Sequence, residues 1–177
     1  VASAIDERSR LDGLRRWNFG VGLAHLAQAV AVVALGNGFA IPLVAAVQTG
    51  PPGTPLVEEA TFFDLSFAWA IGVFLLLAAV DHLAVATFAR GRYEADLRQG
   101  INVFRWAEYS VSASVMVVLI AMLTGVTDLY AAIGLFTANA AMIGFGLGGV
   151  FMGRLADRFG VMAPVLIGAL GLSSGFI

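Results

Sequence analysis

Long apolar runs separated by short polar segments are the dominant pattern of this chain. The runs lie at Trp17 to Leu35, Leu65 to Ala89, Val103 to Leu123, and Leu129 to about Phe151. Each is long enough to cross a hydrocarbon core of about 30 Å as an α-helix. The pattern predicts four complete membrane spans. A fifth apolar run, Val161 to Ile177, predicts a partial span, and we expect the sequence to be cut within or just after it.

The segments between the spans differ in their turn chemistry. Phe39 to Val47 continues the apolar character of the first span and is interpreted as an interfacial extension. The stretch Gly50-Pro51-Pro52-Gly53-Thr54 has a turn-favouring residue at each position and predicts a loop.

Composition supports a membrane-embedded chain. Of 177 residues, 59% are hydrophobic and 12% are charged, whereas soluble domains carry about 25% charged residues. The fold class predicted is all-α, a polytopic membrane helix bundle in contact with lipid. Cysteine is absent from the sequence, so no disulfide framework is expected.

The basic residues fall on alternate sides of the predicted spans. They lie in the amino-terminal segment, between spans two and three, and after span four: Arg8, Arg10, Arg15, Arg16, Arg90, Arg92, Arg98, Arg105, Arg154 and Arg158. The opposite loops hold Glu58, Glu59, Asp64 and Asp128. Arginine accumulates in cytoplasmic loops, which predicts a multi-pass protein of the cell membrane with a cytoplasmic amino terminus.

Ionisable residues within the spans are the candidate functional groups, because such groups are costly at bilayer depth. They are His25 in span one, Asp81 and His82 in span two, and Glu108 in span three. Both histidines and Glu108 lie on the cytoplasmic side of their span midpoints, so we expect them to meet in one polar pocket. Asn18, His25 and Gln28 share a face of span one by helical spacing. We expect Asp81 to face another helix or the cytoplasmic interface.

Several segments together resemble the heliorhodopsin family, from about Arg15 to Phe145. They are Phe39-Ala40-Ile41-Pro42, the Gly50 to Thr54 loop, Asn102-Val103-Phe104-Arg105-Trp106-Ala107-Glu108-Tyr109-Ser110, and Ser114-Val115-Met116-Val117-Val118-Leu119-Ile120-Ala121. Heliorhodopsins are seven-helix retinal-binding photoreceptors with a cytoplasmic amino terminus.

The resemblance implies a role for each matching polar residue. Glu108 is expected to be the counterion of a protonated retinal Schiff base, with His25 and His82 in the cavity beside it. Residues expected along the retinal pocket and its hydrogen-bond network are Gln28, Asn102, Tyr109, Ser112, Met116 and Asn139. Ala78 is a departure, since the family pattern has a serine one turn before His82.

Two features limit the activity expected. A pump relays its proton through a second carboxylate about three turns after the counterion, whereas this chain has Leu119 and Ile120 there. Signalling through an unidentified partner is therefore favoured over pumping. The sequence has ten arginines and no lysine, so the Schiff-base lysine and its helix are expected to be missing. The resemblance also implies a homodimer.

After Phe145 the pattern changes, and the predicted domains are 1–145 and 146–177. Gly153-Arg154-Leu155-Ala156-Asp157-Arg158-Phe159-Gly160 resembles a cytoplasmic loop of major facilitator transporters. A transporter fragment, a chimera, or a membrane scaffold without chromophore are therefore alternatives to an incomplete light-sensing protein. Enzyme activity, a metal site and nucleic-acid binding are not expected, because the sequence has no motif for them.

Overall fold

The computed structural model describes residues 2–47, 50–54, 57–160 and 162. In chain order the elements are α1 (Ala2–Ala34), β1 (Ala40–Val47), β2 (Val57–Ser66), α2 (Phe67–Ala86), α3 (Arg90–Arg98), α4 (Val103–Leu123) and α5 (Leu129–Phe159). The chain divides into two compact units, Val1–Ala140 and Ala141–Ile177, and the elements that carry the candidate site belong to the first.

Three helices within the described residues are long and apolar enough to cross a membrane. They are Asp6–Ala34, Phe67–Ala86 and Val103–Leu123. Large apolar side chains remain exposed on their outer faces, among them Trp17, Val30, Trp69, Val80 and Ile120. Exposed apolar faces on helices of this length fit a hydrocarbon surrounding rather than water.

The helix bounds agree with the predicted spans to different degrees. The third span was predicted at Val103 to Leu123, and α4 has these bounds. The second span was predicted at Leu65 to Ala89, but α2 is shorter, because the residues before Phe67 are in β2 and those after Ala86 form a turn. The first helix begins well before Trp17, and the α5 helix continues to Phe159.

A two-stranded antiparallel β-hairpin joins α1 to α2, so the all-α prediction was wrong at this point. Strand β1 occupies most of the segment interpreted as an interfacial extension, and its partner β2 follows the Gly-Pro-rich loop. The register runs from Ala40 opposite Ser66 to Val47 opposite Val57, with two irregularities. The hairpin forms because β1 can bury Leu43 and Ala45 on one face while pairing its backbone with β2.

The apolar core of this unit lies beneath the hairpin. Its buried members are Leu43, Phe67, Leu119, Met122 and Ala132. The Val44 amide also donates to the carbonyl of Thr127 at 2.9 Å, which ties β1 to the segment before α5. The hairpin therefore holds together the ends of α2, α4 and α5 that lie opposite the arginine-bearing segments.

Helices α1 and α2 cross closely because small residues lie at the contact. A Cβ atom added to Gly22 would lie 2.8 Å from Leu83 Cγ, and one added to Gly72 would lie 2.6 Å from Val33 Cγ2. Small residues at such contacts allow transmembrane helices to approach each other closely.

Ion pairs connect the amino-terminal part of α1 to the short helix α3. Arg90 pairs with Asp12 at 2.7 Å and also with Glu94, and Arg98 pairs with Glu7 at 2.8 Å. The hydrogen bond to Glu94, then that to Asp12, raise the pKa of the Arg90 guanidinium above its ordinary value. These five residues are called the charged end below.

In the second unit, the structure describes residues 141–160 and Met162. The helix α5 ends at Phe159, and Gly160 follows with φ 79°. The predicted partial span from Val161 to Ile177 lies outside the described residues except for Met162. The domain boundary predicted at residue 145 stays a prediction.

Candidate functional site: a histidine pair beside Glu108

The crossing of α1 and α2 brings His25 and His82 together. Their ring centroids are 5.7 Å apart, and the ring planes differ by 18°, so the imidazoles are stacked. The close approach at Gly22 contributes directly, because an added Cβ there would lie 3.3 Å from the Cβ of His82. Of the three groups expected to meet in one polar pocket, the two histidines are thus in contact.

Each histidine ring has an amide partner on α1. His82 Nδ1 lies 2.9 Å from Asn18 Oδ1, and His25 Nδ1 lies 3.0 Å from Gln28 Oε1. Asn18 is only 6% exposed, whereas the Gln28 side chain is exposed. The four residues Asn18, His25, Gln28 and His82 are called the histidine cluster below.

Acidic groups lie next to this cluster. Glu108 on α4 is half-buried, and its charge acts on both Asp81 and His82. Arg105 also acts on both residues, from one turn earlier on the same helix. Whether Asp81 faces another helix or the cytoplasmic interface stays a prediction.

Glu108 takes part in none of the ion pairs that the structure shows between described side chains. A cation placed beside a partly buried carboxylate favours the charged form of that carboxylate, so a cationic group is the kind of partner that this position would stabilise.

A second polar contact joins α4 to α5. Asn139 Nδ2 donates to Ser114 Oγ at 3.1 Å, and Ser114 Oγ donates to the carbonyl of Ser110 at 2.6 Å. Ser114 is fully buried. Asn139 was expected in the retinal network, and the structure gives it a defined interhelical partner.

The remaining predicted site residues on or next to α4 lie in different surroundings. Asn102 caps α4, where its Oδ1 accepts from the Arg105 amide at 3.1 Å. Ser112 is buried, whereas Tyr109 and Met116 have exposed side chains on the same helix. Their assignment to a retinal pocket stays a prediction.

Two polar residues that matter here were not among the predicted site residues. Asn18 was recognised as sharing a face with His25, seven positions away, but not as the partner of His82. The sequence signal for Ser114 was weaker and consisted of its position four residues, about one helical turn, after Ser110. Ala78, where a serine was expected, offers no side-chain hydrogen-bonding group to this region.

The chemistry available at the site is proton and cation chemistry. It combines a half-buried carboxylate with two imidazoles, side chains whose oxygen and nitrogen atoms can bind a proton or a cation. Within the described residues no three histidine, cysteine or acidic side chains come together in a way that could hold a metal ion.

Comparison with known proteins gives the family. The heliorhodopsin family model matches residues 14–171, and a search of curated proteins found no match. The matched range continues past Phe145, where the sequence pattern was expected to change, and the transporter resemblance of the last residues stays a prediction. Retinal is the cofactor that heliorhodopsins normally bind, and the membrane-length helices agree with a membrane protein. The chain belongs to the heliorhodopsin family.

Proposed function

We propose that this chain supplies the counterion and the histidine cluster of a light-sensing retinal protein that signals rather than pumps. The observation that carries the proposal is Glu108, a half-buried carboxylate that is in none of the ion pairs between described side chains and whose charge acts on His82, one of the two stacked histidines. Retinal, when bound as a protonated Schiff base, supplies a buried cation and a light-driven change of shape.

The residues present fit this group in part. Glu108 would face the cation, and His25 and His82 would hold or release a proton next to it. The covalent bond is not available from the side chains of this sequence, because it contains no lysine. The proposal therefore places the Schiff-base lysine on a segment outside these 177 residues.

Absence of pumping is supported by the residues beyond Glu108 on α4. Leu119 is buried in the apolar core and Ile120 is exposed on the outer face. Neither can take up a proton, so α4 offers no second carboxylate about three turns from the counterion. In the proposed topology the chain crosses the membrane several times, and its arginine-bearing segments, the amino terminus included, are cytoplasmic.

The first prediction tests the counterion. The chain is expressed together with a polypeptide that carries the lysine-bearing helices of a heliorhodopsin, and retinal is added. We expect a visible absorption band, and we expect Glu108→Gln to shift it or to lower the pH at which the Schiff base loses its proton, because the negative charge beside the cation is lost.

Glu94→Gln is the matched control, since Glu94 lies at the charged end. It should leave the band unchanged. A band that Glu108→Gln does not alter would exclude Glu108 as counterion. The chain on its own, with its terminal amine blocked, should form no covalent retinal adduct. Failure of the pair to form any pigment would favour a scaffold without chromophore, and would count against the proposed function.

A further inference from the structure

The tautomer of a histidine in this cluster follows from the atom that faces it. Asn18 Oδ1 lies 2.9 Å from His82 Nδ1, and an amide oxygen can only accept a hydrogen bond. A hydrogen bond between these two atoms therefore requires the ring proton of neutral His82 to be on Nδ1. The lone pair is then on Nε2, the atom able to take up a further proton.

The burial of Asn18 indicates that it serves more than packing. Its side-chain nitrogen is buried and has no hydrogen-bond partner within the described residues. Burying an unpaired amide group is unfavourable, so an apolar residue of similar size would be better tolerated at this position. The hydrogen bond to His82 is what an apolar residue could not provide.

We propose that Asn18 is a positioning residue that holds His82 as the Nδ1–H tautomer, so that Nε2 is the ring atom that accepts a proton. The inference deepens the proposed function and rests on it only for the source of the proton, which His82 Nε2 would take up to give an imidazolium. The tautomer itself depends only on contacts within this chain.

The surroundings of His82 favour uptake of a single proton by the pair. His25 is stacked on it from α1, and a second positive charge 5.7 Å away would be repelled. Glu108 and Arg105 act on it from α4, and Asp81 precedes it on α2. The Arg15 guanidinium, one turn before Asn18, is directed to the carbonyl of Ala86 at 3.0 Å.

The test uses nitrogen NMR of the full chain, labelled with ¹⁵N at histidine and placed in lipid bilayers. The sequence has only two histidines, and His25→Gln assigns the remaining signals to His82. Protonated and bare ring nitrogens have well-separated shifts. We expect neutral His82 to have a protonated Nδ1 and a bare Nε2.

Variants separate positioning from packing. Asn18→Leu should shift His82 towards the Nε2–H tautomer and leave the His25 signals unchanged. Gln28→Leu should instead change the His25 signals and leave those of His82 unchanged. Asn18→Asp should preserve the Nδ1–H form, because a carboxylate also only accepts. If Asn18→Leu does not fold, Asn18→Ala replaces it.

Two results would overturn the inference. One is a His82 ring protonated at Nε2 in the unsubstituted chain, and the other is an unchanged tautomer in a folded Asn18→Leu variant. Since no retinal is needed, the outcome is independent of pigment formation. A confirmed tautomer together with no pigment would reject the proposed function but leave the positioning role of Asn18 in place.

Discussion

The histidine cluster and the charged end both connect α1 to the next part of the chain, but they do so by different means. At the charged end the partners are redundant: Arg90 contacts Asp12 and Glu94, and Arg98 contacts Glu7 and Glu94. In the histidine cluster each ring nitrogen Nδ1 has one amide oxygen. The charged end consists of ion pairs with mostly exposed partners, whereas Asn18 of the histidine cluster is buried.

The difference shows that the number of polar contacts is a poor guide to where the chemistry occurs. Exposed ion pairs contribute little to stability, because water and salt compete for the charges. Polar contacts inside a helix bundle have fewer alternative partners, so a single lost contact has a defined consequence. Substitutions in the two regions should therefore differ in both size and salt dependence.

The largest effect is expected where packing and the histidine cluster coincide. Gly22→Ala should lower the free energy of unfolding by about 1–3 kcal/mol through overpacking, because the new Cβ would lie 2.8 Å from Leu83 Cγ. It should also disturb the histidine NMR signals. Thermal unfolding in detergent micelles measures the first effect.

Gly20→Ala is its control, since a Cβ there would meet nothing within 4 Å. Alanine favours helix over glycine, so this variant should be neutral or slightly more stable. Equal behaviour of the two variants would mean that the close crossing at Gly22 does not constrain the cluster.

An intermediate effect is expected at the contact between α4 and α5. Ser114→Ala removes the acceptor of Asn139 Nδ2 and should lower the free energy of unfolding by roughly 0.6–2 kcal/mol, as for other interhelical hydrogen bonds in membranes. Ser110→Ala should have less effect, because the Ser110 hydroxyl donates only to Ala107 of its own helix. A larger loss for Ser110→Ala would contradict the interhelical role of Ser114.

The smallest effect is expected at the charged end. Glu7→Gln breaks the ion pair with Arg98, and the free energy of unfolding should fall by less than about 1 kcal/mol. The difference should vanish in about 1 M salt, where charges are screened within roughly 3 Å. A loss that persists at high salt would show that the charged end is as specific as the histidine cluster.

The helices were predictable from sequence to the extent that local signals define their ends. The bounds of α4 follow from Asn102, which caps its start, and from the Thr124-Gly125 turn after its end. The strand β1 was not predictable in the same way. Its apolar run has no clear alternation and contains Pro42, and it becomes a strand only because it pairs with β2, whose partner residues lie 10 to 26 positions later.

The contacts of the candidate site also differ in how far the sequence could predict them. That His25 and His82 meet could be expected from their depth in adjacent spans. The pairing of Asn139 with Ser114 could not, because it depends on how α4 and α5 cross and on their rotation. For the same reason the spacing of Tyr109 and Met116 on α4 did not reveal that both side chains point outward.

The direct junction of β2 and α2 gives the hairpin a further consequence. Strand β2 ends at Ser66 and α2 begins at Phe67, whose amide donates to the carbonyl of Phe39 at 3.1 Å. His82 follows fifteen residues later, about 22 Å along the helix. No loop separates β2 from α2, so a shift of the strand pairing by one residue would rotate α2 about its own axis by about 100°. That rotation would carry the His82 imidazole away from Asn18. The hairpin thus fixes the rotation of α2 about its axis, and with it the position of the His82 ring near the other end of that helix.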